Sequence, residues 1–176
     1  MLVVYRVRCP KVVFHYDYQR IPTDLDTYRD TDFANISFSE YLQRLSTNLT
    51  QSYARAGCEI LLETQFDEVL LSLDQAIPCG LITNELVSNA LKYAYPDVDR
   101  GVITLRFQNV ADGQVELEVS DEGAGLPPDM DFAKNDSLGV YLVQALTEQI
   151  DGELVVTSTI EGRKGCSFLV RFTPTK

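Results

Sequence analysis

The sequence has no long apolar run, few basic residues and a single histidine. Each of these features argues against a class of protein. No stretch of about 18 apolar residues occurs, and no basic segment leads into a shorter apolar one, so neither a membrane-spanning helix nor a signal peptide is predicted. We therefore expect a cytoplasmic protein with no direct membrane insertion of this chain.

Basic residues are outnumbered, since 15 Lys and Arg stand against 26 Asp and Glu, which gives a formal net charge of -11. A field of this sign repels nucleic-acid phosphates and anionic lipid headgroups, so a nucleic-acid partner is not expected. A phosphate-bearing ligand would need a local attraction, supplied by a divalent cation, by converging backbone N–H groups, or by both.

The four cysteines lack the spacing that metal binding requires. Cys9, Cys58, Cys79 and Cys166 form no Cys-x-x-Cys pair, and no histidine lies near them at ligand spacing. Structural zinc is therefore not expected, and buried reduced thiols are the better interpretation.

The residues that are present fit one hydrophobic core. A chain of 176 residues with 45% hydrophobic content is long enough for a single domain with an appendage. Residues 1–31 begin with an alternating apolar run and then become rich in tyrosine and acidic residues. We interpret them as a strand and an arm of uncertain structure, and residues 32–176 as the domain.

Caps, turns and apolar spacing predict elements whose order defines the fold class. Ser37-Phe38-Ser39-Glu40 fits a capping box, Asp74 can cap a later helix that Pro96 ends, and Ala111-Asp112-Gly113 is a hairpin turn. Helices beside a mainly antiparallel, mixed sheet make an α+β protein, a two-layer α/β sandwich rather than a doubly wound fold. The predicted elements are a strand near 2–7, helices over 38–56, 75–94 and 139–150, and three hairpins: 58–65 with 69–73, 102–110 with 114–120, and 153–160 with 166–172.

The helix over 75–94 carries a polar stripe. Glu85, Asn89 and Lys92 recur at i, i+4 and i+7, opposite apolar residues that can pack on a sheet. The Asn89 amide oxygen suits a hard cation, Glu85 can orient a water or a cation ligand, and Lys92 can meet phosphate oxygens. Taken alone, such a stripe is more often an ordinary solvated helix face.

Two glycine-containing segments offer groups that could bind the base and the phosphates of a nucleotide. Asp121-Glu122-Gly123-Ala124-Gly125 follows an apolar strand, where an aspartate can accept an adenine amino hydrogen and glycines permit close approach of the backbone. Ser137-Leu138-Gly139 opens the next helix, where free N–H groups at the positive end of the helix dipole favour phosphate. A plain turn and a simple N-cap by Ser137 are the alternative interpretations.

Together these segments resemble the N, G1 and G2 boxes of the GHKL, or Bergerat-fold, ATPases. Asn84-Glu85-Leu86-Val87-Ser88-Asn89-Ala90-Leu91-Lys92-Tyr93 is most similar to the N box of bacterial sensor histidine kinases that carry glutamate there, and the resemblance covers about residues 26 to 174. It implies the Bergerat fold and a histidine kinase that uses ATP and Mg²⁺. The implied partners are a histidine phosphoacceptor and dimerisation domain and a downstream response regulator.

The resemblance also implies a role for each site residue. Glu85 and Asn89 would be catalytic, Glu85 near the γ-phosphate and Asn89 as the Mg²⁺ ligand, and Asp121 would bind adenine. Gly165-Cys166-Ser167-Phe168 is similar to the family's final Gly-Thr-x-Phe strand with the hydroxyl displaced to Ser167, which would lie near adenine unless this is an ordinary core strand. The other residues expected around the nucleotide are Lys92 and Tyr93 at the phosphate and ribose edge, Gly123, Gly125, Leu138 and Gly139, with a short lid over 132–136.

The sequence lacks a recognisable phosphoacceptor histidine, which a complete histidine kinase needs. His15 is the only one, and its surroundings lack a helical stripe and the family's H-box pattern, so we interpret it as structural. The phosphoacceptor would then lie on a separate or missing module, and a homodimer is compatible with that arrangement. Two alternatives stay open: a serine protein kinase resembling the anti-sigma-factor kinases, and a non-catalytic GHKL-fold interaction module.

Overall fold

The computed structural model describes residues 2–7, 36–52, 59–96, 100–126, 138–160 and 163–175. Most of the predicted N-terminal arm lies outside these ranges, including His15, and so do Ser137 and the predicted lid over 132–136. Within these ranges, three α-helices pack on one face of a six-stranded sheet, which confirms the predicted α+β sandwich. No helix among the described residues combines the length and the apolarity needed to span a bilayer.

The large sheet is mixed, because every neighbouring pair of strands is antiparallel except β3 and β5. Its strands, in spatial order, are β1 (Leu2–Val7), β3 (Glu59–Phe66), β5 (Arg100–Asn109), β6 (Val115–Asp121), β8 (Arg163–Phe172) and β7 (Glu153–Ile160). A separate antiparallel pair is formed by β2 (Ile36–Ser37) and β4 (Leu70–Leu71). The helices are α1 (Phe38–Ser52), α2 (Leu73–Tyr93) and α3 (Leu138–Gln149).

The first strand belongs to the same sheet as the rest of the domain. β1 lies at the start of the predicted arm and pairs with β3. The division of the chain into residues 1–31 and 32–176 stays a prediction.

Alternate residues of the strands face the helices. Ile103, Leu105 and Phe107 of β5 are fully buried, whereas the residues between them are only half-buried, as expected when successive side chains point to opposite faces. Asp112 and Gly113 turn the chain between β5 and β6 with φ values of 61° and 73°, the left-handed region that Asp-Gly turns use. The predicted hairpins β5–β6 and β7–β8 are both confirmed.

Helix α1 covers the sheet with one apolar stripe. It begins at Phe38, where the sequence predicts the helix start, and Phe38, Leu42, Leu45 and Leu49 recur on its buried face. The Ser37 hydroxyl lies 3.1 Å from the Ser39 hydroxyl, and the capping box itself stays a prediction. The Phe38 ring meets the Phe107 ring edge-on with the centroids 4.9 Å apart, a favourable geometry for an aromatic pair. This contact anchors α1 to the middle of the sheet.

The predicted hairpin between residues 58–65 and 69–73 is wrong. β3 lies inside the large sheet between β1 and β5, and β4 pairs with β2 instead. No glycine, proline or asparagine reverses the chain after β3. The Asp67 backbone N–H donates to the Phe107 carbonyl at 2.8 Å, and the Asp67 carboxylate accepts from the Asn109 N–H at 2.9 Å, so the segment continues beside β5. Since β3 and β5 are parallel, they need a crossover connection, which contains α2.

The start of α2 differs from the prediction as well. The helix begins at Leu73 with Ser72 as its N-cap, so the predicted cap at Asp74 is wrong. The Ser72 hydroxyl makes no capping hydrogen bond and lies 2.9 Å from the Thr175 hydroxyl. Asp74 falls in the first turn, where its charge is favoured by the positive end of the helix dipole.

One buried amide holds the segment after β8 to the start of α2. Gln75 is 5% exposed, its Nε2 donates to the Thr173 carbonyl at 2.9 Å, and its Oε1 accepts from the Thr175 backbone N–H at 2.8 Å. The side-chain amide therefore pairs with two backbone groups as a neighbouring strand would, using one donor and one acceptor.

Replacing Gln75 by alanine should destabilise the fold, because it removes both hydrogen bonds at a buried position. We expect a loss of about 1–3 kcal/mol in the free energy of unfolding, measured by urea denaturation. Asp74→Ala, which changes the exposed neighbour, is the matched control and should lose less. Equal losses in the two variants would contradict a stabilising bridge at Gln75.

Candidate functional site

The middle of α2 and the start of α3 meet at a polar group. Glu85 and Asn89 lie one turn apart on α2, and the Asn89 Nδ2 donates to the Glu85 Oε1 at 3.2 Å. Gly139 of α3 packs against them so closely that a Cβ there would overlap with the Glu85 Oε1 and lie 3.7 Å from the Asn89 Nδ2. The structure thus brings three of the predicted site residues together.

The Glu85 carboxylate determines which way the Asn89 amide faces. Glu85 is 6% exposed and Asn89 is half-buried. An ionised carboxylate only accepts hydrogen bonds, so it selects the NH₂ group of the amide and leaves the amide oxygen for another partner. An amide oxygen is a ligand that hard cations prefer.

Lys92 and Tyr93 lie further along α2. Lys92 is half-buried, and desolvation lowers the pKa of its ammonium group while the nearby Glu85 carboxylate raises it. A partly desolvated ammonium gains from an anionic ligand, because it has lost some of its water. The Tyr93 side chain is 71% exposed and therefore lies at the rim of the site rather than inside it.

Asp121 ends β6 with a buried carboxylate. The residue is 7% exposed, its Oδ1 accepts the Gly123 N–H at 2.9 Å, and the Cys166 backbone N–H is a second donor. Burial raises the pKa of the Asp121 carboxyl, and the two backbone hydrogen bonds oppose that shift. The carboxylate keeps further acceptor capacity, which an amino group of a ligand can use.

The loop after β6 is built against the end of α2. Gly123 has no room for a side chain, since a Cβ there would lie 2.6 Å from the Ala94 carbonyl carbon and overlap with its oxygen. The same oxygen accepts the Ala124 N–H at 2.7 Å. These contacts fix Asp121 relative to the helix that carries Asn89.

Gly125 and Leu138 stand on either side of a segment that lies outside the described residues. Gly125 has a φ of 74°, which side chains disfavour, and the next N–H, from Leu126, donates to the Ser158 Oγ at 3.1 Å. Leu138 is the first residue of α3 and its side chain is 66% exposed. Because its side chain faces solvent, Leu138 would bind a ligand through its backbone N–H, at the positive end of the helix.

The structure does not bring Ser167 to Asp121, so the expectation that Ser167 lies near adenine is corrected. Ser167 pairs with Ser120 of β6 and donates to the Glu118 Oε1 at 2.8 Å, on the face of the sheet that points away from the helices. Neighbouring residues of a strand face opposite sides, and Cys166 is the residue that pairs with Asp121.

Cys166 is the site residue that the sequence interpretation missed. It is 4% exposed, and burial, together with the Asp121 charge, raises the pKa of its thiol to about 12. The thiol is therefore a protonated, weak hydrogen-bond donor at neutral pH. A period of two was available as a signal, because the apolar residues Phe168, Val170 and Phe172 place position 166 on the same face.

The two layers, the buried Asp121 at the end of β6 and the Glu85–Asn89 pair against Gly139 are the arrangement expected of a nucleotide-binding ATPase domain. Residues 74–176 match the family described as histidine kinase-, DNA gyrase B-, and HSP90-like ATPase, which is more than half of the chain. The chain belongs to this family.

Its relatives include kinases of two kinds. The chain is 30% identical over 122 residues to blue-light-activated histidine kinase 2 of Erythrobacter litoralis, covering 69% of this chain and 35% of the relative. It is 34% identical over 87 residues to the sensor histidine kinase PdtaS of Mycobacterium tuberculosis, covering 48% and 17%. The serine-protein kinase RsbW of Staphylococcus epidermidis is 24% identical over 127 residues, covering 64% and 71%. The matched regions therefore cover 35% of one sensor kinase and 17% of the other, well under half of either.

A solved structure agrees with this placement. The histidine kinase domain of the Erythrobacter litoralis EL346 blue-light-activated histidine kinase aligns with a TM-score of 0.72 at 27% identity, covering 83% of this chain and 71% of that one. The catalytic domain of histidine kinase ThkA aligns with a TM-score of 0.64 at 16% identity, covering 82% and 100%, and shows a shared fold.

Gly123→Ala and Gly139→Ala should have different effects on stability. A Cβ at position 123 meets the Ala94 backbone, which cannot move without shifting the end of α2, so we expect a loss of about 1–3 kcal/mol. A Cβ at position 139 meets the tip of the Glu85 side chain, which can rotate at a cost of about 0.5–1 kcal/mol. Urea denaturation without ligand measures both, and the prediction fails if Gly139→Ala is the more destabilising change.

Proposed function

We propose that this chain is the Mg-ATP-binding catalytic domain of a sensor histidine kinase and transfers the γ-phosphoryl group of ATP to a histidine on a separate module. The proposal rests on one observation: Asp121, at one end of the site, and the Glu85–Asn89 pair, at the other, are both fixed to α2. Asp121 is fixed to the helix end through Ala94, and Glu85 and Asn89 meet Gly139 earlier in the helix. With a rise of about 1.5 Å per residue, Asn89 and Glu85 lie about 8 Å and about 14 Å along the axis from Ala94.

The end of the site at Asp121 fits adenine. The buried carboxylate is an acceptor for the exocyclic amino group, and the Cys166 thiol is a weak donor beside it. Gly123 and Gly125 allow the backbone to approach the base with no side chain in between. Guanine has a carbonyl oxygen where adenine has its amino group, and that oxygen would face the carboxylate unfavourably, so the site favours adenine.

The end at Asn89 fits phosphates with a magnesium ion. The Asn89 amide oxygen is the candidate protein ligand, since its NH₂ group is held by Glu85. Within the described residues no group of three or more His, Cys, Asp or Glu side chains is arranged as a metal site. Mg²⁺ commonly takes one or two protein ligands and completes its shell with phosphate oxygens and water, so a single amide ligand is compatible with it. Bound Mg²⁺ supplies charge neutralisation for the phosphates, and Lys92 and the α3 N–H groups add to it.

Transfer exchanges one bond for another and leaves ADP. A nitrogen of the acceptor imidazole attacks the γ-phosphorus, and the new P–N bond forms as the bond to the β–γ bridging oxygen breaks. Positive charge grows on the imidazole during this step. In this proposal Glu85 lies beside the γ-phosphate, where its carboxylate accepts a hydrogen bond from the second imidazole N–H and stabilises that charge.

The acceptor would be supplied by another module or protein. His15, the only histidine, lies outside the described residues and is interpreted as structural. The matching relatives are sensor histidine kinases that are much longer than the shared region. By analogy with them, the proposed partners are a phosphoacceptor and dimerisation domain, within a homodimer, and a downstream response regulator, and the proposed location is the cytoplasm. Two exposed hydrophobic side chains beside Gly139 in α3, Leu138 and Tyr141, suit contact with a protein acceptor.

A serine kinase is the second candidate, and the similarity to RsbW favours it. A serine hydroxyl must lose a proton as it attacks, and a buried carboxylate such as Glu85 is a suitable general base. A non-catalytic interaction module is the weakest candidate, because it would not need Glu85, Asn89 and Asp121 in this arrangement.

Saturating Mg-ATP should raise the melting temperature, because a ligand that binds only the folded state stabilises it, by about 2.7 kcal/mol at 100 times the Kd. Asn89→Ala and Asp121→Asn should each remove most of that increment. Ser167→Ala is the matched control, since Ser167 lies on the other face of the sheet, and it should keep the full increment. An unchanged melting temperature of the wild-type chain with Mg-ATP would end the proposal.

Incubation with radiolabelled ATP and candidate acceptor domains identifies the acceptor residue. Acid-labile, base-stable label on the acceptor indicates phosphohistidine, whereas acid-stable, base-labile label indicates phosphoserine and would replace the histidine kinase proposal by the serine kinase alternative. Glu85→Gln should keep ATP binding and lower the transfer rate about 100-fold or more, the usual scale for a charged catalytic group. Glu118→Gln, a change on the opposite face, should transfer at the wild-type rate.

A further inference from the structure

We infer that Tyr95 is a positioning residue for the nucleotide site, whose hydroxyl holds the adenine end of the site on the end of α2. The inference rests on the proposed function, since it assigns a role in ATP binding. Tyr95 follows α2 by two residues, is 8% exposed, and lies between the helix that carries Asn89 and the loop that follows Asp121.

The Tyr95 hydroxyl uses its full hydrogen-bonding capacity on backbone groups. It donates to the Val102 carbonyl, and it accepts the Val102 N–H at 3.0 Å and the Glu122 N–H at 3.0 Å. A hydroxyl has one hydrogen and two lone pairs, and all three are engaged here. Burial raises the pKa of the hydroxyl, so the proton it donates stays in place at neutral pH.

The Tyr95 hydroxyl lies between β5 and β6 at the residue pair that follows the last paired one. The antiparallel pairing of β5 with β6 ends at Ile103 with Asp121, and the next pair in that register would be Val102 with Glu122. The Tyr95 oxygen bonds to both of these residues, and the direct contact from the Glu122 N–H to the Val102 carbonyl is long, at 3.4 Å. Tyr95 therefore spreads the two strands at the residue after Asp121 and still satisfies their backbone groups.

The sequence provides space for the ring. A Cβ at Gly101 would overlap with the Tyr95 ring, so the absence of a side chain there lets the ring lie directly on the β5 backbone. Ring and hydroxyl together then define where β6 stops pairing with β5.

This arrangement controls the distance between the two ends of the site. The Glu122 N–H donates to the Tyr95 hydroxyl, and the Ala124 N–H donates to the Ala94 carbonyl. Two residues at the end of α2 therefore hold the loop that follows Asp121. ATP must reach Asp121 with its base and Asn89 with its phosphates at the same time. A loop held less firmly would pay more conformational entropy on binding, so affinity would fall although no residue that touches the nucleotide had changed.

The test compares Tyr95→Phe with Tyr41→Phe in the full chain. Both changes delete one phenol hydroxyl from a tyrosine, but Tyr41 packs against Gly80 on the side of α2 that faces α1. Calorimetric titration should show that Tyr95→Phe weakens Mg-ATP and Mg-ADP by the same factor, about three- to tenfold, the range that one or two lost hydrogen bonds produce. Tyr41→Phe should bind both nucleotides as the wild-type chain does.

Two further readouts separate positioning from general destabilisation. In a transfer assay Tyr95→Phe should raise the KM for ATP and leave kcat near the wild-type value, because Glu85 and Asn89 are untouched. Hydrogen exchange should accelerate at the Glu122 amide in Tyr95→Phe and remain unchanged there in Tyr41→Phe. Wild-type affinity in Tyr95→Phe would overturn the inference, and so would a fall in kcat with unchanged KM. A wild-type chain that binds no nucleotide would instead overturn the proposed function, and the inference with it.

Discussion

The close approach of the Gly123 backbone to the Ala94 carbonyl oxygen is the contact on which the rest of the site depends. Only a residue without a side chain allows the loop after β6 to reach the end of α2, and the Ala124 N–H then bonds to the same oxygen. α2 is in turn held on the sheet by its apolar face. Asp121 and Asn89 consequently belong to one rigid unit, although they lie on different elements of the fold.

A chain with a net charge of -11 that binds a polyanion depends on short-range attraction. Charges further apart than about 8–10 Å are largely screened at physiological salt, so the acidic surface matters less than the groups that line the pocket. Three local features supply such attraction: the partly buried Lys92, the positive end of the α3 dipole and the oriented Asn89 amide.

The parts of the fold and the site that depend on neighbouring residues could be predicted from the sequence. The Asp112-Gly113 turn and the stripe of Glu85 and Asn89 follow from local geometry, and both are found. Parallel pairing of β3 with β5 depends on distant residues, and no turn residue signals it. The hydroxyl of Ser167 makes that residue the expected contact for adenine, although the two-residue period of the strand places the Cys166 thiol on the face of the site.

The parallel pairing of β3 with β5 makes the pocket depend on contacts between residues far apart in sequence. The hairpins β5–β6 and β7–β8 need only short loops, whereas β3 can join β5 only after the chain has crossed the sheet as α2. Contacts between residues so far apart in sequence generally form slowly. Since the same crossover helix carries Glu85 and Asn89, a nucleotide can occupy the pocket only in a chain whose α2 has already packed on the sheet.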